Sequence, residues 1–219
     1  MPVSAPDTGI RAVSASFEAL PLFPLRTVLF PGGRLALKVF EARYLDLVSR
    51  CLRQSQAFGV ISLSQGAEAG PQQAERVRIE SVGVLAGIDT VDGEQAGILK
   101  VTCTGLQRFR LLGAPSQAAD GLWSAPAEPM ADDAPEPPPP DLQASAEALA
   151  RAVERLKVQG HDVVPAPLRL DDAGWVANRW CELLPIRQAA RQKLMELDDP
   201  VVRLRLVDQY LRAQKVLSE

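Results

Sequence analysis

The sequence has few of the residues that build metal sites and disulfides. It contains three cysteines and one histidine in 219 residues. Cys51, Cys103 and Cys181 are far apart in the chain and form no Cys-x-x-Cys pair. Structural zinc sites need four Cys or His ligands, usually in closely spaced pairs. We therefore expect no metal and no other cofactor, and three buried free thiols in a reducing compartment.

Strong charge and long apolar runs are also lacking. The formal net charge is −3, which offers no general attraction for duplex nucleic acid or an anionic membrane. No segment has the roughly 18 consecutive apolar residues of a transmembrane helix, and the first nineteen residues have no apolar stretch typical of a signal peptide. We expect a cytoplasmic protein whose partners are neither nucleic acids nor membranes.

Catalytic motifs are the third absence. There is no Gly-Lys dipeptide, and hence no phosphate-binding loop, and no Gly-x-Ser-x-Gly elbow. The single histidine, His161, lies in a loop-like stretch, so we expect it to be solvated rather than part of a Ser-His-Asp triad. Glu80, Asp89 and Glu94 are carboxylates that an unrecognised enzyme site could use, but their spacing is not diagnostic. The sequence favours a protein that is not an enzyme.

The N-terminal half has the pattern of strands around one helix. Residues 1–18 are small and polar and predict a flexible tail. Leu20–Leu25 is apolar but contains two prolines, which predicts a strand at a sheet edge or beside a bulge. Pro31-Gly32-Gly33 predicts a turn, and the alternation of Arg34–Val39 predicts a strand. From Phe40 to Leu52 apolar residues recur at helical spacing, with the charged residues mainly on the other, solvated face (Glu41, Arg43, Asp46, Arg50).

The next segment, up to residue 130, predicts further strands. Two glycines inside the long apolar stretch of residues 77–90, Gly83 and Gly87, suggest bulges that curl the sheet toward a barrel. Asp92-Gly93 predicts a hairpin turn, and Gly105-Leu106 predicts a second turn. Residues 64–75 are polar and predict a flexible loop. Residues 19–130 are therefore expected to form a barrel-like subdomain.

The C-terminal half begins at a proline-rich segment. Residues 131–140, ADDAPEPPPP, predict a stiff linker because proline disfavours helix and sheet alike. Residues 141–219 have the pattern of four short helices, with N-caps expected at Asp141, at Asp171 or Asp172, and at Asp199. Gly160 is expected to end the first of them. Short helices are not stable alone in water, so we expect them to pack on each other and on the barrel.

Three blocks of the sequence resemble one known family. They are LPLFPLRTVLFPGGRLALKVFEARYLDLV from Leu20, VTCTGLQRFRL from Val101, and WCELLPIRQAARQKLMELDDPVV from Trp180. These blocks are similar to the N-terminal, substrate-binding domain of Lon (La, peptidase S16) proteases. The resemblance implies an α+β fold, namely a PUA-like pseudo-β-barrel of about six strands with one helix, followed by a C-terminal helical bundle. It carries over no ATPase or peptidase motif.

The resemblance implies a non-catalytic module that binds unfolded or degron-bearing polypeptides. The candidate contact residues are Arg26, Val28, Phe30, Arg43 and Arg108. Arg26 and Arg108 stand at family motif positions, and for Arg108 a role in bracing loops is the stronger hypothesis. Val28 and Phe30 belong to an apolar run that is suited to polypeptide binding if it is exposed. Two alternatives stay open: an RNA-binding PUA-like module, and an enzyme with an unrecognised site.

Overall fold

The computed structural model describes residues 16–65, 77–95, 97–161 and 163–217. These residues form a mixed α+β fold with a seven-stranded sheet and five helices. The strands are β1 Phe17–Leu25, β2 Arg34–Val39, β3 Phe58–Gln65, β4 Arg78–Gln95, β5 Ile98–Leu111, β6 Ser116–Gln117 and β7 Trp123–Pro129. The helices are α1 Ala42–Gln54, α2 Gln143–Val158, α3 Ala173–Leu183, α4 Gln188–Glu196 and α5 Pro200–Ala213. Most of the predicted tail and loop (1–15 and 66–76) lies outside the described residues.

Five of the seven strands pair with one another in a closed circuit. The sheet order is β2-β5-β4-β3-β1-β7-β6, and β5 also pairs with β7 through its last residues. The ladders β5–β4–β3–β1–β7–β5 therefore form a closed ring of five strands. One apolar cluster draws residues from all five ring strands, which places it inside the ring (Leu20, Leu22, Ile61, Leu85, Phe109, Trp123, Ala125, Ala127). Strand β2 extends outward from the first half of β5 and has no second strand partner among the described residues.

Strand β1 is an interior strand, so the prediction of an edge position is wrong, whereas the predicted bulge is present. β1 runs parallel to β3 and antiparallel to β7, with a register shift between Phe17 and Leu20. The two ladders cover different parts of the strand, residues 22–25 with β3 and 17–22 with β7. Pro24 thus lies where β1 has only one partner, which reduces the conflict between proline and an interior strand.

The predicted turn at Pro31-Gly32-Gly33 is confirmed. Gly33 N donates to Phe30 O at 2.9 Å, and Gly32 adopts φ 71°, so residues 30–33 form a turn of type II geometry. Gly32 N donates to Gly105 O at 2.7 Å, and Gly105 N donates to Gly33 O at 2.8 Å. This is the bonding of a bulge with glycine at its first position. The turn is therefore fastened to the middle of β5.

Two predictions about glycine turns in the strands are wrong. The β4–β5 ladder continues through Asp92 and Gly93 as far as Gln95 opposite Ile98, and Gly97, just before β5, has φ 81°. β5 also continues through Gly105, where a Cβ would lie 2.2 Å from Phe30 O.

The predicted bulges beside Gly83 and Gly87 are confirmed. Register shifts with β5 lie on either side of Gly87, between residues 84 and 86 and between 88 and 90, and the ladder with β3 shifts between Ile79 and Gly83. Gly83 also admits the Phe109 ring and Val60 O, which a Cβ would meet at 2.6 and 2.5 Å.

Helix α1 buries most of the apolar face that the sequence predicts, but two residues predicted on that face are exposed. Tyr44, Leu47, Val48 and Cys51 are buried, and the Tyr44 ring stacks on Phe23 at 3.9 Å between centroids. Phe40 and Leu52, predicted on the inner face, are 54% and 49% exposed. Phe40 precedes the helix and Leu52 lies in its last turn, so neither follows the inner stripe.

The helices share a core with the outside of the strand ring. A single apolar cluster joins α1 and β1–β5 to α2, α3, α4 and α5, so the helices pack on the strands, as predicted. Helix α3 is at the centre, since every residue from Ala173 to Cys181 is buried. None of the helices in the described segments is long and apolar enough to cross a membrane.

The predicted helix ends are confirmed in most cases. Asp172 accepts a hydrogen bond from Trp175 N at 3.0 Å, and Asp199 accepts from Val201 N at 2.9 Å. Gly160 follows α2 with φ 82°. The prediction for Asp141 is wrong, because a 3₁₀ turn at Pro140–Leu142 precedes α2 and the Asp141 carboxylate pairs with Arg205 at 2.6 Å.

Candidate functional site

An arginine of α3 holds the glycine turn. The Arg179 guanidinium is completely buried, donates to the carbonyls of Pro31 (2.9 Å) and Gly32, and lies 3.0 Å from Glu182 in an ion pair. The Glu182 carboxylate rests on Gly33, where a Cβ would lie 2.0 Å from Oε1. The turn that connects β1 to β2 is therefore fixed on both sides, by β5 and by α3.

A second buried network joins the proline-rich segment to the ring and the helices. The Asp133 carboxylate lies 3.0 Å from the Arg108 guanidinium and 2.6 Å from that of Arg203. Both arginines are buried, and each also donates to backbone carbonyls at the end of α4, such as Leu197 O. Glu136 O accepts a hydrogen bond from Ala173 N at 2.8 Å. Residues 131–140 thus pack against the fold through specific polar contacts.

The structure places most of the predicted contact residues inside the protein. Phe30 and Val28 are buried, so the apolar run of residues 28–30 is covered. Arg43 was expected on a solvated helix face, but it is buried, donates to Gly121 O at 2.9 Å and pairs with Glu41 at 2.7 Å. Arg108 has the bracing role just described. Arg26 is exposed at the end of β1.

A cleft of about 720 Å³ lies between the strand ring and the helices. One wall is formed by the chain that flanks the glycine turn, including Thr27, Val28 and Leu35. The other wall comes from the end of α2, the residues that follow it, α3 and α4 (Ala152, Arg155, Leu156, Gln159, His161, Val163, Trp180, Glu182, Leu183, Arg191). Of the predicted contact residues, the cleft therefore includes only Val28, at its edge.

A groove of about 310 Å³ continues this cleft along β2. It is lined by the ends of β1, by β2 and by the start of α1 (Phe23, Leu25, Thr27, Leu35, Ala36, Leu37, Lys38, Val39, Phe40, Glu41, Tyr44). Thr27 and Leu35 line both depressions, so the two form one path beside an edge strand. The exposed ring of Phe40 stands at its far end.

The backbone of β2 presents alternate residues to this path. Gly33 and Gly105 exchange a ladder hydrogen bond, and the register continues with Leu35 opposite Cys103 and Leu37 opposite Val101. In an antiparallel ladder hydrogen-bonded pairs alternate, so Leu35 and Leu37 bond toward β5. Ala36, between them, therefore directs its N–H and C=O to the outer edge. A strand edge of this kind can pair with an extended peptide.

The charges in the cleft are mostly positive. Among the described residues, Arg34, Arg155 and Arg191 line it together with one carboxylate, that of Glu182. Burial raises the pKa of Glu182 to about 7, although the guanidinium groups of Arg179 and Arg191 oppose this shift. His161 is exposed and lines the cleft.

The described residues offer little for catalysis. No group of three or more His, Cys, Asp or Glu side chains among them could hold a metal ion. The three cysteines are free and buried, as predicted, and burial raises the pKa of the Cys103 and Cys181 thiols to about 12. Glu80 and Asp89 lie nine residues apart on β4, which places them about 30 Å apart along the strand. The side chain of Glu94 lies outside the described residues.

No pattern in the sequence points directly to the cleft. Arg34, Arg155, Glu182 and Arg191 come from four elements that are distant in the chain, and only the fold brings them together. For Arg179 the sequence contains a weak indication of burial. The residue lies three positions after Val176 and four after Trp175, on the apolar stripe of α3. A charged residue at such a position is a candidate for a buried ion pair.

The fold is thus a ring of strands packed on helices, with a groove beside an edge strand. Residues 19–213 match the family model described as the ATP-dependent protease La (LON) substrate-binding domain. The chain belongs to this family, and the resemblance seen in its sequence is confirmed.

Solved structures and curated relatives agree with this assignment. A crystal structure of a Lon N-terminal domain protein from Xanthomonas campestris is 31% identical with a TM-score of 0.69, covering 89% of this chain and 99% of that one. The N-terminal domain of a Mycobacterium avium complex Lon protease, 18% identical with a TM-score of 0.58 over 89% and 98% of the two chains, shares the fold.

The curated relatives are much longer proteins. Lon protease 2 of Myxococcus xanthus is 28% identical over 51% of this chain and 13% of its own length. Lon protease of Anaeromyxobacter dehalogenans is 31% identical over 42% of this chain and 11% of its own length. The chain therefore corresponds to a small part of these proteases.

Proposed function

We propose that the protein is a non-catalytic module that recognises polypeptides, unfolded or degron-bearing, through the path along the outer edge of β2. The observation that carries this proposal is the continuity of the cleft and the groove beside an edge strand. Backbone groups of an extended peptide can bond to Ala36, while its alternate side chains enter the two depressions. Family membership supports the general kind of partner.

The proposed site differs from the five residues that the sequence suggested. Val28 and Arg26 stay in it, because Val28 lines the cleft and Arg26 lies between Leu25 and Thr27, which line the groove. We assign Phe30, Arg43 and Arg108 to the scaffold, since their side chains are buried in contacts within the chain. We propose a polypeptide rather than RNA as the ligand, because the outer edge of a strand forms hydrogen bonds with the amides and carbonyls of another backbone. The cytoplasmic setting stays a prediction.

Binding of an unfolded chain tests the proposal. The probe is a reduced, carboxyamidomethylated model protein with a fluorescent label, and fluorescence anisotropy reports binding. Useful recognition corresponds to a Kd of about 100 μM or tighter, or roughly −5.5 kcal/mol. An absence of binding at this concentration would refute the proposal.

Two substitutions of one residue test the role of the strand edge. Ala36→Pro removes the outward N–H and leaves the bonds of Leu35 and Leu37 to β5 in place, so we expect binding to weaken about tenfold, the loss of one hydrogen bond. Ala36→Val changes the side chain in the groove but keeps the N–H, so it should lose clearly less affinity than Ala36→Pro. Equal affinities for the two variants, both folded by circular dichroism, would exclude pairing at β2.

The finer fold description is likewise a proposal. We propose that the closed ring is a PUA-like pseudo-barrel within residues 19–130, that 131–140 link it to the helices, and that 141–219 form the helical bundle. The ring of pairings and the shared core support it. An experimental structure that does not superpose on a PUA domain over the five ring strands would contradict it.

A further inference from the structure

The described lining of the cleft has a charge opposite in sign to that of the whole chain. Among the described residues, three guanidinium groups (Arg34, Arg155, Arg191) and one carboxylate line the cleft, whereas the net charge of the protein is −3. The three arginines come from β2, α2 and α4, so the positive charge is collected by the fold and is not a run in the sequence.

The one carboxylate of the cleft does little to offset this charge. Glu182 is already paired with Arg179, with its two oxygens 3.0 and 3.1 Å from the guanidinium, and its side chain is only 22% exposed. The partner of Glu182 is therefore within the protein. A ligand in the cleft meets an excess of positive charge.

The Arg191 guanidinium is held in place by the protein, because its Nη2 donates to Leu184 O at 3.0 Å. Its Nε is buried and has no acceptor among the described residues. Arg155 has another possible role, because basic side chains near a helix C-terminus also stabilise the helix dipole. The experiment must therefore separate binding by Arg155 from a contribution to helix stability.

Most of the remaining described lining is apolar, with Thr27, Gln159 and His161 as the other polar residues. Val28, Leu29, Leu35, Leu156 and Leu183 line the cleft, and Val163, at its rim, is 48% exposed. A purely anionic ligand would leave this surface without a partner. A volume of about 720 Å³ is within the range of sites that hold several side chains.

From this combination of positive and apolar lining we propose that the cleft selects polypeptide segments in which acidic residues lie next to apolar ones. This inference rests on the proposed function and adds a preference for the sequence of the bound segment. The carboxylates would lie against Arg155, Arg191 and Arg34, and the apolar side chains against the leucines.

Three labelled twelve-residue peptides test the preference with the full chain. They have identical apolar residues and carry Asp and Glu, Asn and Gln, or Lys at the other positions. At about 50 mM salt the acidic peptide should bind about tenfold more tightly than the neutral one, and the basic peptide most weakly. At about 500 mM salt the difference should shrink, because exposed charges are screened. Equal affinities for the acidic and neutral peptides would overturn the inference.

Two charge reversals on the same helix identify the cleft as the source of the preference. Arg155→Glu should weaken binding of the acidic peptide at least tenfold and change binding of the neutral peptide less than twofold. Arg151→Glu is the matched control, since Arg151 does not line the cleft, its side chain is 59% exposed, and it pairs with Glu147 on the same helix. Equal losses for the two variants would overturn the inference, whether they came from helix stability or from long-range charge.

The outcomes separate this inference from the proposed function. If the unfolded model protein binds but the peptides show no charge preference, only the inference fails. If neither the model protein nor any peptide binds, the proposed function fails as well. A single-stranded RNA oligomer that binds more tightly than the acidic peptide, and is weakened by Arg155→Glu, would overturn the inference in favour of a nucleic-acid site.

Discussion

Removal of the Asp133 carboxylate should destabilise the whole protein, although the residue lies in a proline-rich segment without regular secondary structure. Its two oxygens neutralise Arg108 and Arg203, which are both buried. In Asp133→Ala both guanidinium groups keep carbonyl acceptors, such as Leu197 O for each, but they lose their shared counter-charge. Two positive charges then remain close together in the interior.

The size of the effect follows from the burial of the network. Breaking a buried ion pair by removing one partner typically costs about 3–5 kcal/mol, because a buried charge is left uncompensated. The Asp133 side chain is 15% exposed, so water reaches it, and we expect the low end, about 3 kcal/mol. For a chain of this size that corresponds to a fall in Tm of about 6–12 °C.

Urea denaturation followed by circular dichroism measures the difference, with Asp132→Ala as the control. Asp132 is the exposed neighbour of Asp133, and its removal should change the free energy of unfolding by no more than about 0.5 kcal/mol. Asp133→Asn separates charge from shape, and it should recover only a small part of the loss. Equal stabilities for Asp133→Ala and Asp132→Ala would show that the segment is a spacer and that the buried arginines do not depend on it.

Two further predictions concern the glycine turn. Because the pKa of Glu182 is raised to about 7 in the folded protein, its proton stabilises the fold below about pH 4.5, and this contribution is lost as the pH rises through 7. Between pH 5 and pH 8 the free energy of unfolding of the wild type, measured by urea denaturation, should therefore fall by up to about 3 kcal/mol more than that of Glu182→Gln. If the two proteins showed the same dependence on pH, this prediction would be contradicted. Gly105→Ala places a Cβ 2.2 Å from Phe30 O and should cost about 1–3 kcal/mol by thermal denaturation, whereas Gly93→Ala, with nothing within 4 Å, should be nearly neutral.

Local sequence rules predicted the elements whose stability is decided locally. The turn at Pro31-Gly32-Gly33 and the N-caps at Asp172 and Asp199 depend on residues within three positions of each other. The hairpin turn was misplaced for a related reason. Asp92-Gly93 has good turn chemistry, but the ladder with Lys100 and Leu99 continues past it, and strand pairing outweighs the local preference.

Long-range contacts account for the residues that were misjudged. Arg43 lies at a charged position on the helical pattern, yet it is buried because the loop before β7 brings Gly121 O within 2.9 Å. No local pattern indicates that a carbonyl 78 residues away will satisfy the side chain. Likewise Asp133 looks like part of a solvated linker until Arg108 and Arg203 are placed beside it.

The blocks that carry the family resemblance therefore describe the scaffold more than the ligand. Pro31-Gly32-Gly33, Gly105 and Arg108 fasten the turn and the ring to the helices, and their replacement should affect stability first. The cleft instead takes its positive charges from side chains whose removal leaves those contacts in place, such as Arg155. If this division is right, related domains can keep one fold and bind different polypeptides by changing the few side chains that line the path along β2. Affinity and stability should then respond to different substitutions, Arg155→Glu altering the first and Gly105→Ala the second.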